Sequence, residues 1–150
     1  MSSYQKILVA IDFSEHSLKA LEKAQSMAEM FKADITLIHI AEVPIYPLLE
    51  DVAVTGMPGL WDDEFLQRMV KASDQRLEKL RHLHAISHAM TIVGDPSSEI
   101  VTIASSNHID LIVMGFHGAS GFSRLIGSTT HSVINDAPCD VLAVKLDDTE

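Results

Sequence analysis

The sequence predicts an α/β domain built on a doubly wound parallel sheet, and three observations carry that expectation. Short apolar, β-branched runs alternate with stretches of helical period along the chain, which is the pattern of repeated βαβ units. The runs are continuously apolar, as strands covered by helices on both faces require. The glycines are also concentrated: four of the seven fall between Gly115 and Gly127, directly after the run "DLIVM" at 110–114. That puts a loop of unusual freedom at the carboxyl end of a strand, where open α/β sheets bind ligands.

"KILVAI", Lys6–Ile11, is the first strand, ended by Asp12. Ser14 is a helix N-cap, with the helix expected over Ser17–Phe31. Leu18, Leu21, Ala24, Ala28 and Phe31 recur at three and four residues and make one apolar stripe. "DITLIHI", Asp34–Ile40, is the second strand. Residues 41–64 hold Pro44, Pro47, Pro58, Gly56 and Gly59, break every period and read as a long loop with a short helical turn. Loops beyond roughly 12–15 residues are often functional lids or disordered. Asp62 or Asp63 starts the next helix, with Leu66, Met69, Val70, Leu77 and Leu80, fraying near His84. "HAMTIVG", His88–Gly94, is the third strand. A helix follows with Asp95 as N-cap, Pro96 in its first turn and Glu99 near its positive end. "LIVMG", Leu111–Gly115, is the fourth strand; after the glycines come a helix around Thr129–Asn135 and a fifth strand, Asp140–Leu146. No repeat or linker interrupts the 150 residues, so a single domain over 1–150 is expected.

Composition excludes several classes. Hydrophobic residues make up 47% and charged residues 21%, which is globular rather than disordered. A net charge of −10 lacks the basic footprint of nucleic-acid binding. The single cysteine, Cys139, rules out an internal disulfide framework and reads as a small buried residue beside a strand. "ILVAI" is too short for a secretory signal, and no run approaches the roughly 18 apolar residues of a membrane span. The expectation is a soluble, cytoplasmic protein with no membrane insertion.

Glycine lets backbone N–H groups come close to a ligand, and such N–H groups leading into a helix N-terminus form an anion cradle. Gly127, Ser128 and Thr129 stand where that cradle would open the last helix, and Arg124 adds positive charge. A Walker-type loop needs a Gly-Lys pair, and there is none; the dinucleotide fingerprint would follow the first strand, which ends "AIDFSE" without glycine. The cradle is therefore of another kind.

At these residues the chain resembles the universal stress protein family. The marks are "KILVAIDFSEHS", "LIHI", "GDPSSEI" and above all "VMGFHGASGFSRLIGSTTHSVINDAPCDVLAVK". The ATP-binding branch carries Gly-x2-Gly-x9-Gly-Ser/Thr, and Gly115, Gly118 and Gly127-Ser128 take those places. Eight residues rather than nine separate Gly118 from Gly127; either the loop is one residue shorter, or Ser128 replaces the third glycine. The resemblance implies ATP with Mg²⁺. Ala10 and Asp12 would border the nucleoside, and Ile40 would offer backbone groups to adenine. Met114 and Gly115 would lie near ribose and adenine, and Gly118, Gly127, Ser128 and Thr129 would hold phosphates. Asp12 has a second possible role as a helix cap. His117 stands in the glycine loop, either against phosphate or in solvent. The expected fold is a five-stranded parallel sheet in the order 3-2-1-4-5 with helices on both faces. The resemblance also implies a homodimer through the last strand, Val141–Val144, with further association left open.

Three functions follow. The first is a regulatory ATP-binding module acting on an unidentified partner protein in a stress response, with at most weak ATP hydrolysis and no catalytic residue assigned. The second is a nucleotide-free dimeric interaction protein. The third is an adenylyl-transfer enzyme, whose usual motifs after the first strand are absent from "AIDFSEHS". "HLHAISH" brings His82, His84 and His88 together, but reads as a helix C-terminus rather than zinc ligands. His39 reads as a satisfied core histidine, and Trp61 as an anchor of the long loop, with a partner surface or a lid as the alternative. "GASG" lacks the second spacer of a nucleophile elbow.

Overall fold

The computed structural model describes residues 3–42, 63–117 and 126–146. Through them run β1 (Lys6–Ala10), α1 (Glu15–Phe31), β2 (Asp34–Ala41), α2 (Asp63–Leu83), β3 (His88–Val93), α3 (Pro96–Ser106), β4 (Leu111–Gly115), α4 (Ser128–Asp136) and β5 (Asp140–Val144). The strands form one sheet in the order β3-β2-β1-β4-β5, with every neighbouring pair parallel. The alternation of runs thus translates directly into the doubly wound fold. Trp61 and nearly all of the long loop lie outside the described residues.

The strands are apolar on both sides because both sides are covered. Ile7 and Val9 of β1 and Leu111 and Val113 of β4 pack with Ala20, Leu21 and Ala24 of α1 and Leu77 of α2. The residues between them, Leu8, Ile112 and Met114, face the other way onto Ile100, Ile103 and Ala104 of α3 and Val133 of α4. The period of two along each strand divides the core into these two halves. Cys139 is partly buried against the second half, where burial pushes its thiol pKa up.

The caps fall where the short polar residues stand. Ser14 caps α1 by accepting from the Ser17 N–H at 3.2 Å, so the helix begins at Glu15, two residues ahead of expectation. Asp95 caps α3 by accepting from the Ser98 N–H at 3.0 Å, with Pro96 opening the helix. The Ser98 N–H and then the Ser97 hydroxyl hold the Asp95 carboxyl below the usual carboxylate range. A depressed folded-state pKa contributes stability above the unfolded pKa and loses it as pH falls through the folded one. Asp95→Ala is therefore expected to unfold at lower urea than the parent at pH 7, with the gap closing as pH drops below the normal carboxylate range. Urea midpoints measured from pH 7 to pH 3 check this.

Three helices end in left-handed residues that are not glycine: Lys32 (φ 56°), Ala85 (φ 53°) and His108 (φ 54°). Those are positions where helices commonly place glycine. This chain leaves them to other residues, so its glycine cluster has another cause.

Candidate functional site

The order of the sheet reverses between β1 and β4: the chain leaves β1 toward β2 and leaves β4 toward β5. A cavity of about 700 Å³ opens at the carboxyl ends of these strands, within the range of small-molecule sites. Its floor is the backbone just past β1, with Ala10, Ile11 and Asp12. Ile40 and His39 from β2 flank one side, and Met114 and Gly115 of β4 the other. The first turn of α4, with Gly127, Ser128 and Thr129, closes the far end.

Of the residues expected from sequence, Ala10, Asp12, Ile40, Met114, Gly115, His117, Gly127, Ser128 and Thr129 all line this one cavity. Gly118 and Arg124 lie outside the described residues. The cavity also has walls that the sequence did not announce: Pro96 and Ile100 from α3, and Met69 and Ser73 from α2. No local motif marks Met69 or Ser73, which reach the site because α2 packs over β2 and β3.

The turn after β1 is tightly held. Asp12 accepts the Ser14 N–H at 3.0 Å and also the Ser14 hydroxyl. The buried Ser17 hydroxyl accepts the Asp12 N–H at 3.3 Å. Ser14 is the N-cap of α1, so Asp12 supports the cap from two residues upstream, with its carboxylate at the cavity. Phe13 follows at φ 64°, a left-handed conformation that is uncommon for so large a residue. Its ring contacts the His39 ring at 4.7 Å and the Arg76 guanidinium at 4.1 Å.

His39 departs from expectation. It is satisfied, since its Nδ1 donates to the Ile11 carbonyl at 2.7 Å, but it is only half-buried and lines the cavity. Its ring packs against Phe13 beside the cleft. Of the other histidines weighed, His84 donates from Nδ1 to the Gln25 side chain at 2.7 Å. Glu78 lies 3.2 Å from His82.

At the α4 end, Gly127 is the N-cap, in extended conformation and with no side-chain hydrogen bond to the helix. No acidic residue stands in the first turn. The amino end of α4 thus keeps its partial positive charge facing the cavity. Three bonds fix it there. The Thr130 hydroxyl donates to the Gly115 carbonyl at 2.8 Å. Gly127 N–H donates to Phe116 at 2.9 Å, and Phe116 N–H to Val144 at 2.8 Å. Thr130, fully within the protein, was the residue to find in "GSTT"; only the fold distinguishes it from Thr129.

Gly115 has a packing role of its own. A Cβ on it would lie 2.8 Å from His16 Cβ and 2.9 Å from the His16 carbonyl carbon. The first turn of α1 therefore sits directly on β4, and glycine is what permits that approach.

His117 is buried, 8% exposed. Its ring meets His16 edge-on at 5.0 Å. Burial, then His16 and then Lys145 hold its pKa below the ordinary histidine value.

The model of the universal stress protein family matches residues 3–145. The chain belongs to this family. It is 32% identical to universal stress protein MJ0531 of Methanocaldococcus jannaschii over 95% of this chain and 82% of that one. It is 33% identical to universal stress protein A homolog 2 of Coxiella burnetii, over 97% and 98%. Among solved structures, universal stress protein MJ0577 superposes with a TM-score of 0.80 at 25% identity, covering 99% of this chain and 100% of that one. A universal stress protein solved in complex with cAMP shares the fold, with a TM-score of 0.60 at 23% identity over 96% and 98%. No helix among the described residues is long and apolar enough to cross a membrane.

Proposed function

We propose that this universal stress protein binds ATP in the cleft and acts as a nucleotide-dependent regulatory module for a partner protein in a stress response. The observation that carries this reading is the pairing of two unlike ends in one cavity. One end has apolar walls from Ile40, Ile100 and Met114, suited to a base. The other is the uncapped amino end of α4 at Gly127–Thr129, suited to phosphate. In this reading Ala10 and Asp12 border the nucleoside, and Ile40 backbone groups meet adenine. Met114 and Gly115 lie beside the ribose. Gly118, Gly127, Ser128 and Thr129 hold phosphates, with Arg124 and a Mg²⁺ carried on the phosphates offsetting their charge. Regulation then requires that ATP bind one conformation of the protein better than another.

The first test is the nucleotide content of the purified protein, released by denaturation and separated by anion exchange. Stoichiometric ATP, or tight binding of added Mg-ATP in preference to cAMP, supports the reading. An empty protein that binds no Mg-ATP overturns it in favour of a nucleotide-free interaction protein. One observation favours that second reading: helix packing alone already accounts for glycine at 115.

The same proposal makes the protein a homodimer through β5. This strand pairs with β4 on one side only and is an edge of the sheet. Edges of this kind are covered in stable proteins. Phe116 N–H bonds the Val144 carbonyl, so by alternation Val141 and Ala143 turn their backbone groups to the open side. Ala143→Pro deletes an outward N–H and is expected to give a folded monomer, read by sedimentation. A variant that remains dimeric places the interface elsewhere.

A further inference from the structure

We propose that His117, at the phosphate end of the cleft, and His16, packed behind it, form a proton-accepting pair, so that a polyphosphate is bound together with one proton. This rests on the nucleotide reading above. It adds a coupling between ligand charge and pH, carried by two histidines.

Geometry carries the proposal. His117 lines the same cavity as Gly127, Ser128 and Thr129 while remaining 8% exposed. Its ring packs edge-on against His16 at 5.0 Å and Phe116 at 4.8 Å. His16 Nδ1 is buried with no hydrogen-bond partner among the described residues, although buried polar atoms are nearly always bonded. A ring nitrogen without a partner can take a proton without breaking an existing bond.

The charges around the pair work in one direction. Lys145, just past β5, lies over the Phe116 ring at 4.7 Å, and together with His16 it disfavours the charged form of His117. From α4, the first turn brings no acidic residue, and His131 is exposed. On α1, Glu15 is exposed. Asp12, across the cavity at the end of β1, bonds Ser14. These groups therefore favour neutral His117 near pH 7 before any anion binds. Several phosphate charges entering the cavity reverse the balance, because an opposite charge within about 4–6 Å favours the protonated ring. The proton comes from solvent and ends on an imidazole nitrogen of the pair; no other bond changes. By linkage, affinity for the polyphosphate rises as pH falls through the loaded pair's pKa, by up to about tenfold per pH unit for one proton.

The test follows the His117 ring by NMR through a pH titration of the empty protein, with adenosine and with saturating Mg-ATP. The expected result is a low pKa when empty or with adenosine, and a rise of about one unit or more with Mg-ATP. Calorimetry in two buffers of different ionisation heat then counts protons. About one proton fewer is expected for His117→Asn than for the parent, which cancels the contribution of ATP itself. Mg-ATP binding with an unmoved His117 and equal proton counts overturns the proposal and leaves the nucleotide reading intact. An equal shift with adenosine also overturns it, since the phosphates would not be the cause. Failure to bind Mg-ATP at all overturns both. Should His117→Asn not fold, the ring titration of the parent decides alone.

Discussion

Gly115→Val is expected to destabilise the protein by about 3 kcal/mol, at the upper end of the usual cost of overpacking, and Gly115→Ala by about 2 kcal/mol. The first methyl already falls 2.8 Å from His16 Cβ, 2.9 Å from the His16 carbonyl carbon and 3.0 Å from the Ser17 nitrogen. Two of those atoms are backbone, so no rotamer change relieves the contact. The first turn of α1 has to move as a body, or β4 has to retreat. Retreat is blocked, because β4 is buried along its whole length and lies between β1 and β5. The Thr130 hydroxyl also holds the Gly115 carbonyl. Movement of α1 pulls on Ser17, whose hydroxyl holds the Asp12 N–H, and so displaces the floor of the cleft. Nucleotide affinity should fall at least tenfold along with stability. Urea unfolding and calorimetry on both variants measure the two effects. A Gly115→Ala protein within about 0.5 kcal/mol of the parent, the usual range for a neutral surface change, would mean that the helix–strand approach is soft.

Thr129→Glu is expected to do the opposite to stability while strongly weakening nucleotide binding. The amino end of α4 has neither a side-chain cap nor an acidic residue in its first turn. A carboxylate there gains about 0.3–1 kcal/mol from the helix dipole, so the fold should be unchanged or slightly firmer. The same carboxylate competes with phosphate for the same N–H groups and repels it. A hundredfold loss of Mg-ATP affinity, about 2.7 kcal/mol, is the expected result. Thr129→Gln, of similar shape and without charge, should lose far less. The opposite signs separate this effect from a packing defect, which would lower stability and binding together. Retained affinity in Thr129→Glu would mean that phosphate does not lie on α4.

Much of the site was legible because its markers are local. Glycine after the apolar run of β4, and short polar residues ahead of α1 and α3, are choices made within a few positions of where they act. Asp12, Met114 and Gly127–Thr129 converge on the cavity because strand ends and helix starts in a parallel sheet all lie along one edge. His39 is satisfied as expected but lies at the cavity rather than in the core, because an apolar strand says nothing of the ring beside it. At the cleft His39 bonds the Ile11 carbonyl and packs against Phe13, which stands in a left-handed turn.

The sequence by itself determined the alternation of strands and helices, the caps at Ser14 and Asp95, and the strand end at which the cavity opens. These depend on hydrophobic period and backbone chemistry, which neighbouring residues carry. Only the tertiary structure decided why residue 115 is glycine, which threonine of "GSTT" is the strut, and that His16 meets His117. Each of these joins residues that are 15 or more positions apart, Thr130 to Gly115 being the nearest pair. Such contacts are set by the order of the sheet and the packing of α1 on β4, and no run of adjacent residues encodes them.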